Sequence, residues 1–227
     1  MFSGLKSSRV IFTIWVLLAL FTLWPASRYL KGSFPIFTVI WLVVPAVAVW
    51  RAKDAGLAGF RAVPPALLLK TTAINLGILL AIMLAFEPWS HTYQKLLAIV
   101  LSSWTPDTTF AWLLRWPRLP GLAAMTLYSG LVTLFGEELF FRGWLLQVFQ
   151  KRLGTTWAII LQSTLFVLPN LLVAFVLPAL QGVLYALVYT WVVIGLVGGW
   201  AASRTGSIWP GLISATMGNL ALVVLIL

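Results

Sequence analysis

Long apolar runs separated by short polar clusters make up most of the chain. The runs are continuous and do not alternate, which favours buried or lipid-facing helices over half-exposed strands. Residues 10–26, 35–50, 71–86, 156–177, 180–202 and 208–227 are apolar runs. Each is about long enough to cross a hydrocarbon core of ~30 Å as a helix. A longer helix is expected over 120–151, ended by Gly154. Pro178 marks the turn between two of the runs, and Arg204-Thr205-Gly206-Ser207 is a tight polar turn before the last. Residues 51–70 read as a basic surface loop, because Pro64-Pro65 interrupts any continuous helix there. Residues 87–118 are mixed, and their apolar stretch 96–101 is too short for a span of its own. That stretch is interfacial or re-entrant, so the total comes to roughly seven or eight spans. The short alternating segments of a membrane β-barrel are absent. Backbone polar groups in lipid must then be satisfied within helices. The expected fold class is all-α, a polytopic transmembrane helical bundle.

Composition agrees. Hydrophobic residues make up 61% and charged residues only 9%, whereas a soluble domain is about a quarter charged. The first run, 10–26, could be a secretory signal. Its apolar stretch is longer than usual for one and no small-x-small cleavage site follows, so a retained span is expected. The formal net charge is +10. The cations are scattered over loops and form no dense patch, so they read as topology signals and lipid contacts; nucleic acid is not an expected partner. An N-in arrangement gathers Lys6, Arg9, Arg51, Lys53, Arg61, Lys70, Lys151, Arg152 and Arg204 on one side, against Arg28, Lys31, Lys95, Arg115 and Arg118. The positive-inside rule makes the first side cytoplasmic. The location expected is a multi-pass integral membrane protein of a prokaryotic cytoplasmic (inner) membrane.

There is no Cys, which excludes disulfides and a Cys nucleophile. His91 is the single histidine, so a metal site of several His ligands is impossible. No cofactor and no metal are expected.

Against this background Glu137-Glu138-Leu139-Phe140-Phe141-Arg142 is anomalous. A charge at membrane depth costs roughly 2.5–3.5 kcal/mol on insertion scales. Glu138 and Arg142 are four apart and share a helical face, so they can pair. Glu137 is turned away from both by roughly 100–140° on an α-helix and is free to act as a base. Two amides lie in later spans, Asn170 after Phe166-Val167-Leu168-Pro169 and Asn219 after Gly218. Each needs a partner in lipid. An amide can also hold a water or donate to an oxyanion.

The order Glu-Glu-x-x-x-Arg-Gly, then Phe-x-x-x-polar, then a terminal span with Asn219 resembles the CPBP family of CAAX prenyl and bacteriocin-processing (Abi) intramembrane proteases. The resemblance covers about residues 119–225, including the stretch 195–210 before the last helix. It divides the chain into N-terminal transmembrane helices with a basic cytoplasmic loop, 1–118, and a CPBP-like catalytic-type core, 119–227. It implies that Glu137 activates a water, that Glu138 and Arg142 support it, and that Asn219 donates to an oxyanion. The family pairs its first Glu with a His where this chain has Asn170, and has a second His where this chain has Ala215. Asn170 can orient a water but exchanges no proton near pH 7.

The function expected is an intramembrane endopeptidase that cleaves a membrane-embedded or membrane-associated peptide or protein. Its candidate catalytic residues are Glu137, Glu138, Arg142, Asn170 and Asn219. The alternative is an inactive CPBP-like scaffold or peptide-binding protein. In that reading Glu138 and Arg142 are a structural ion pair, Asn170 satisfies backbone groups freed by Pro169, and Asn219 is a packing hydrogen bond. Phe166 reads as packing and His91 as an interfacial loop residue.

Overall fold

The computed structural model describes residues 34–96 and 135–226. The expected first span and the stretch 97–134, with the start of the long helix, lie outside the described residues. Within them the protein is an all-α bundle without strands. Helix α1 is Phe34–Ala52 and α2 is Pro65–Ser90. Helix α3 is continuous through Phe135–Glu137, Glu138–Leu145 and Leu146–Leu153. Helix α4 is Thr155–Val176, α5 is Ala179–Thr205 and α6 is Trp209–Ile226.

The punctuation works as the sequence implies. Gly154 ends α3 at φ 77° and Gly206 caps α5 at φ 65°, where its N–H reaches the Ala202 carbonyl. Both conformations suit glycine, which lacks the Cβ that makes positive φ costly. Pro178 immediately precedes α5. Both boundaries of α2 differ, its end lying at Ser90 where 86 was expected. Pro65 stands in the first turn of α2, so residues 65–70 are helical and do not belong to the loop. Proline is well suited to that position, since the N–H it lacks would have no helical acceptor there.

Helix α2, at 26 residues, and α5, at 27, are long and apolar enough to cross a membrane by length and composition. Their lengths fit a core of about 30 Å at 1.5 Å per residue.

Two regions of the bundle are π-helical, Glu138–Leu145 in α3 and Leu184–Val197 in α5. Such i→i+5 segments are rare and are frequent at functional sites. Both lie where the charged motif is packed.

The two ends of the bundle are tied by different contacts. At one end Asp54 accepts a hydrogen bond from Gly56 N–H (2.8 Å) and starts the single turn Ala55–Ala58. Gly59 follows at φ 75°, its carbonyl accepts from Ile208 N–H (3.1 Å), and Phe60 bridges to Ser207. At the other end Gln181 Nε2 donates to the Ser90 carbonyl (2.9 Å), and the Tyr93 and Tyr189 rings meet edge to face at 4.8 Å. His91 is the exposed, left-handed cap of α2 at φ 51°. Its place at a helix end fits the loop role expected for it.

Candidate active site

The turn at 54–60 seats the motif. Gly143, directly after Arg142, lies against the backbone of Ala58, and a Cβ there would run into the Ala58 carbonyl. A Cβ on Gly59 would stand 2.6 Å from Ile208 Cγ2 and 3.1 Å from the Gly143 Cα. Helix α3, the surface turn and the start of α6 therefore meet backbone to backbone.

Just below this joint, Arg142 Nη1 lies 3.2 Å from Glu138 Oε1, with both side chains buried. The pairing expected from the spacing is present, on a π-helical turn in place of an α-helical one. Arg142 has two further contacts. Nη2 donates to the Ile194 carbonyl at 2.6 Å, and the guanidinium sits 4.2 Å from the centre of the Phe166 ring. Phe166 belongs to a buried aromatic cluster with Trp41 and Phe141, whose ring is 5.0 Å away. Phe166 thus packs, as expected, and also gives the cation a π face. The other Glu138 oxygen, Oε2, faces Gly211 of α6, where a Cβ would stand 2.5 Å from it. That oxygen is buried and has no hydrogen-bond partner among the described residues.

Glu137 differs in kind. It is buried but keeps 9% of its surface exposed, and it forms no ion pair or hydrogen bond among the described residues. Its charged neighbours are Arg142 and Glu138.

Asn170 is half-buried on α4. Its Nδ2 donates to the Phe166 carbonyl (2.9 Å), one turn back, and its Oδ1 accepts from Tyr185 Oη–H (3.1 Å). One amide hydrogen is thus spent on its own helix, as the backbone-satisfaction reading anticipates. Asn219 is half-buried on α6. No hydrogen bond among the described residues joins it to the other candidates. Glu138, Arg142 and Asn170 are linked through Phe166, and Tyr185 is bonded to Asn170, while Asn219 stands about two turns along α6 from Gly211.

Two polar residues escaped the sequence reading. Tyr185, inside an apolar run, resembles an interfacial aromatic. Asn75 of α2 donates from Nδ2 to Ser214 Oγ (2.6 Å), and Ser214 donates in turn to the Pro210 carbonyl (2.7 Å). An Asn in a predicted span is the signal that could have found Asn75, by the argument used for Asn170.

The donor set does not suit a metal. Glu138 is taken by Arg142, and no cluster of three or more His, Cys, Asp or Glu side chains occurs among the described residues. No step below runs through one.

Residues 119–221 match the family model described as type II CAAX prenyl endopeptidase Rce1-like. The match is consistent with the CPBP resemblance, and the matched segment holds every motif residue from Glu137 to Asn219. The family is one of CAAX-protease-like proteins embedded in membranes, which agrees with the two spanning-length helices. No curated protein and no solved structure matches the chain.

Proposed function

We propose that this protein is an intramembrane endopeptidase that hydrolyses a membrane-embedded or membrane-associated peptide or protein, with Glu137 as the base. One observation carries the reading. Of two adjacent buried carboxylates, Glu138 is neutralised by Arg142, while Glu137 has no ion-pair or hydrogen-bond partner among the described residues and keeps 9% of its surface exposed. Keeping an acid in that condition costs stability, which is expected of a residue retained for its chemistry.

In this mechanism Glu137 takes a proton from a water as the water oxygen attacks the scissile carbonyl carbon. It then gives that proton to the departing amine nitrogen as the C–N bond breaks. The products are a carboxylic acid and an amine. Glu138 and Arg142 fix the helix that carries Glu137, and Asn219 supplies an amide donor for the oxyanion as the substrate seats. The first region, 1–118, serves as the membrane frame and the second, 119–227, as the catalytic core, in a multi-pass protein of a prokaryotic inner membrane.

The test is Glu137→Gln, an isosteric change that removes the base. N-terminal peptide profiling of membranes from cells carrying either form compares the cleaved ends directly. Ends that depend on the wild-type chain fall by at least about 10²-fold in the variant, the lower range of general-base contributions. Unchanged ends with equal amounts of folded chain would make the protein a scaffold.

A further inference from the structure

Where α3 turns into α4 the surface carries an open groove of about 390 Å³, lined by Leu153, Trp157, Ile160, Leu161 and Thr164. Four of these residues lie on α4 at spacings of three and four, so the groove follows one face of that helix. From Trp157 to Thr164 it runs about 10 Å, at 1.5 Å per residue, away from the corner at Gly154. Trp157, at the corner end, is 66% exposed. Beyond it the only polar side-chain group is a hydroxyl that is already engaged. Thr164 Oγ1 donates to the Ile160 carbonyl (3.0 Å) and accepts from Trp191 Nε1–H (3.2 Å). The length of the groove therefore suits a hydrocarbon chain.

Its mouth is cationic. Lys151 and Arg152 directly precede Leu153 in the last turn of α3, and both are exposed. Neither forms an ion pair among the described residues. The chain supplies no counter-charge there. No Asp or Glu follows Glu138 in the sequence. Asp54 is held by Gly56 N–H, Glu87 accepts from Tyr93 N–H (3.0 Å), and Glu137 and Glu138 are buried in the bundle. The corner is also open, since Gly154 has nothing within 4 Å of its would-be Cβ among the described residues.

We infer that this corner is a binding site for an anionic phospholipid, with an acyl chain in the groove and the phosphate at Lys151 and Arg152. Two uncompensated cations at the head of an apolar channel match the two ends of such a molecule. In the arrangement argued from charge they meet the cytoplasmic leaflet, where anionic head groups attract Lys and Arg near the surface. The tail of a zwitterionic lipid fits the groove equally well, so discrimination comes from the head group. The site stands whether or not Glu137 hydrolyses a peptide.

The test uses a phosphatidylglycerol with a photoactivatable diazirine on its acyl chain, in phosphatidylcholine liposomes that hold the full chain. Peptide mapping after irradiation locates the adducts. They are expected within residues 153–164, and unlabelled phosphatidylglycerol should displace them where added phosphatidylcholine does not. Lys151→Gln combined with Arg152→Gln should cut this labelling about 30-fold, from about fivefold for each cation, with the unfolding temperature in phosphatidylcholine unchanged. The charge-conserving pair Lys151→Arg and Arg152→Lys should keep it. Labelling retained by the double Gln variant overturns the site, as does equal displacement by the two lipids, which marks ordinary bilayer contact. A loss shared by the charge-conserving pair overturns it as well. Adducts confined to other segments would show the groove to be covered by protein, whether more of this chain, a second copy or a peptide, and would also overturn it.

Discussion

At the scale of single residues, the two adjacent acids have opposite circumstances. Glu138 is a buried ion paired at 3.2 Å, and its partner has a backbone carbonyl and an aromatic face besides. Breaking such a pair from one side leaves a lone buried charge and costs about 3–5 kcal/mol, whereas replacing both members with apolar residues is often neutral. Arg142→Met should therefore lower stability by about that amount, and Glu138→Leu with Arg142→Met should recover most of it. Unfolding in detergent micelles measures both. A double variant as unstable as the single one would refute the account. The ion pair was legible in the sequence, since a spacing of four places two side chains together on a helix. The role of Phe166 was half legible. Its spacing before Asn170 put it on the right face, but no pattern of letters reveals that Arg142, 24 positions earlier, lies across its ring. Tyr185 was not legible, because its hydroxyl is bonded to Asn170, on another helix.

At the scale of elements, the helix ends were readable because glycine and proline mark them. Gly154, Pro178 and Gly206 stand where the chain turns. The start of α2 was misplaced, since a Pro-Pro pair among cations resembles a loop although its second proline begins a helix. The π-helical segments left no sequence trace, because they change the hydrogen-bond register without changing hydropathy. Glycines within helices sort by what lies opposite them. Gly77 of α2 has nothing within 4 Å of its would-be Cβ, while Gly143 of α3 abuts the Ala58 carbonyl. Gly77→Ala should stabilise by roughly 0.5–1 kcal/mol through reduced backbone entropy. Gly143→Ala has the same entropic gain, but the new methyl meets backbone that cannot rotate away, and such overpacking costs about 1–3 kcal/mol. The clash outweighs the gain, so Gly143→Ala should lower the unfolding temperature while Gly77→Ala raises it. Equal shifts of the same sign would show that the contact with Ala58 carries no weight.

At the scale of the whole molecule, the contacts assign charges to ends. The turn carrying Lys53 and Arg61 meets the turn carrying Arg204 through the Phe60–Ser207 bridge, while Lys95 follows the Ser90 end tied to Gln181. This grouping agrees with the sidedness inferred from charge alone. The absence of Cys makes the test free of background. Single cysteines at Lys53, Arg204 and Lys95, all exposed, are labelled in intact cells and in inverted vesicles with an impermeant thiol reagent. Lys53→Cys and Arg204→Cys should react only from the cytoplasmic face, and Lys95→Cys only from the opposite one. Labelling of all three from one face would rule out the arrangement.

In the joint of Ala58, Gly59, Gly143 and Ile208 the only long side chain is that of Ile208, and Gly143 meets the Ala58 backbone directly. A tilt imposed on α6 by a thinner or thicker bilayer would pass through it with little slack to the helix that carries both carboxylates. On the proposed function, turnover should accordingly track the acyl-chain length of the lipid around it, in the manner of a stiff lever.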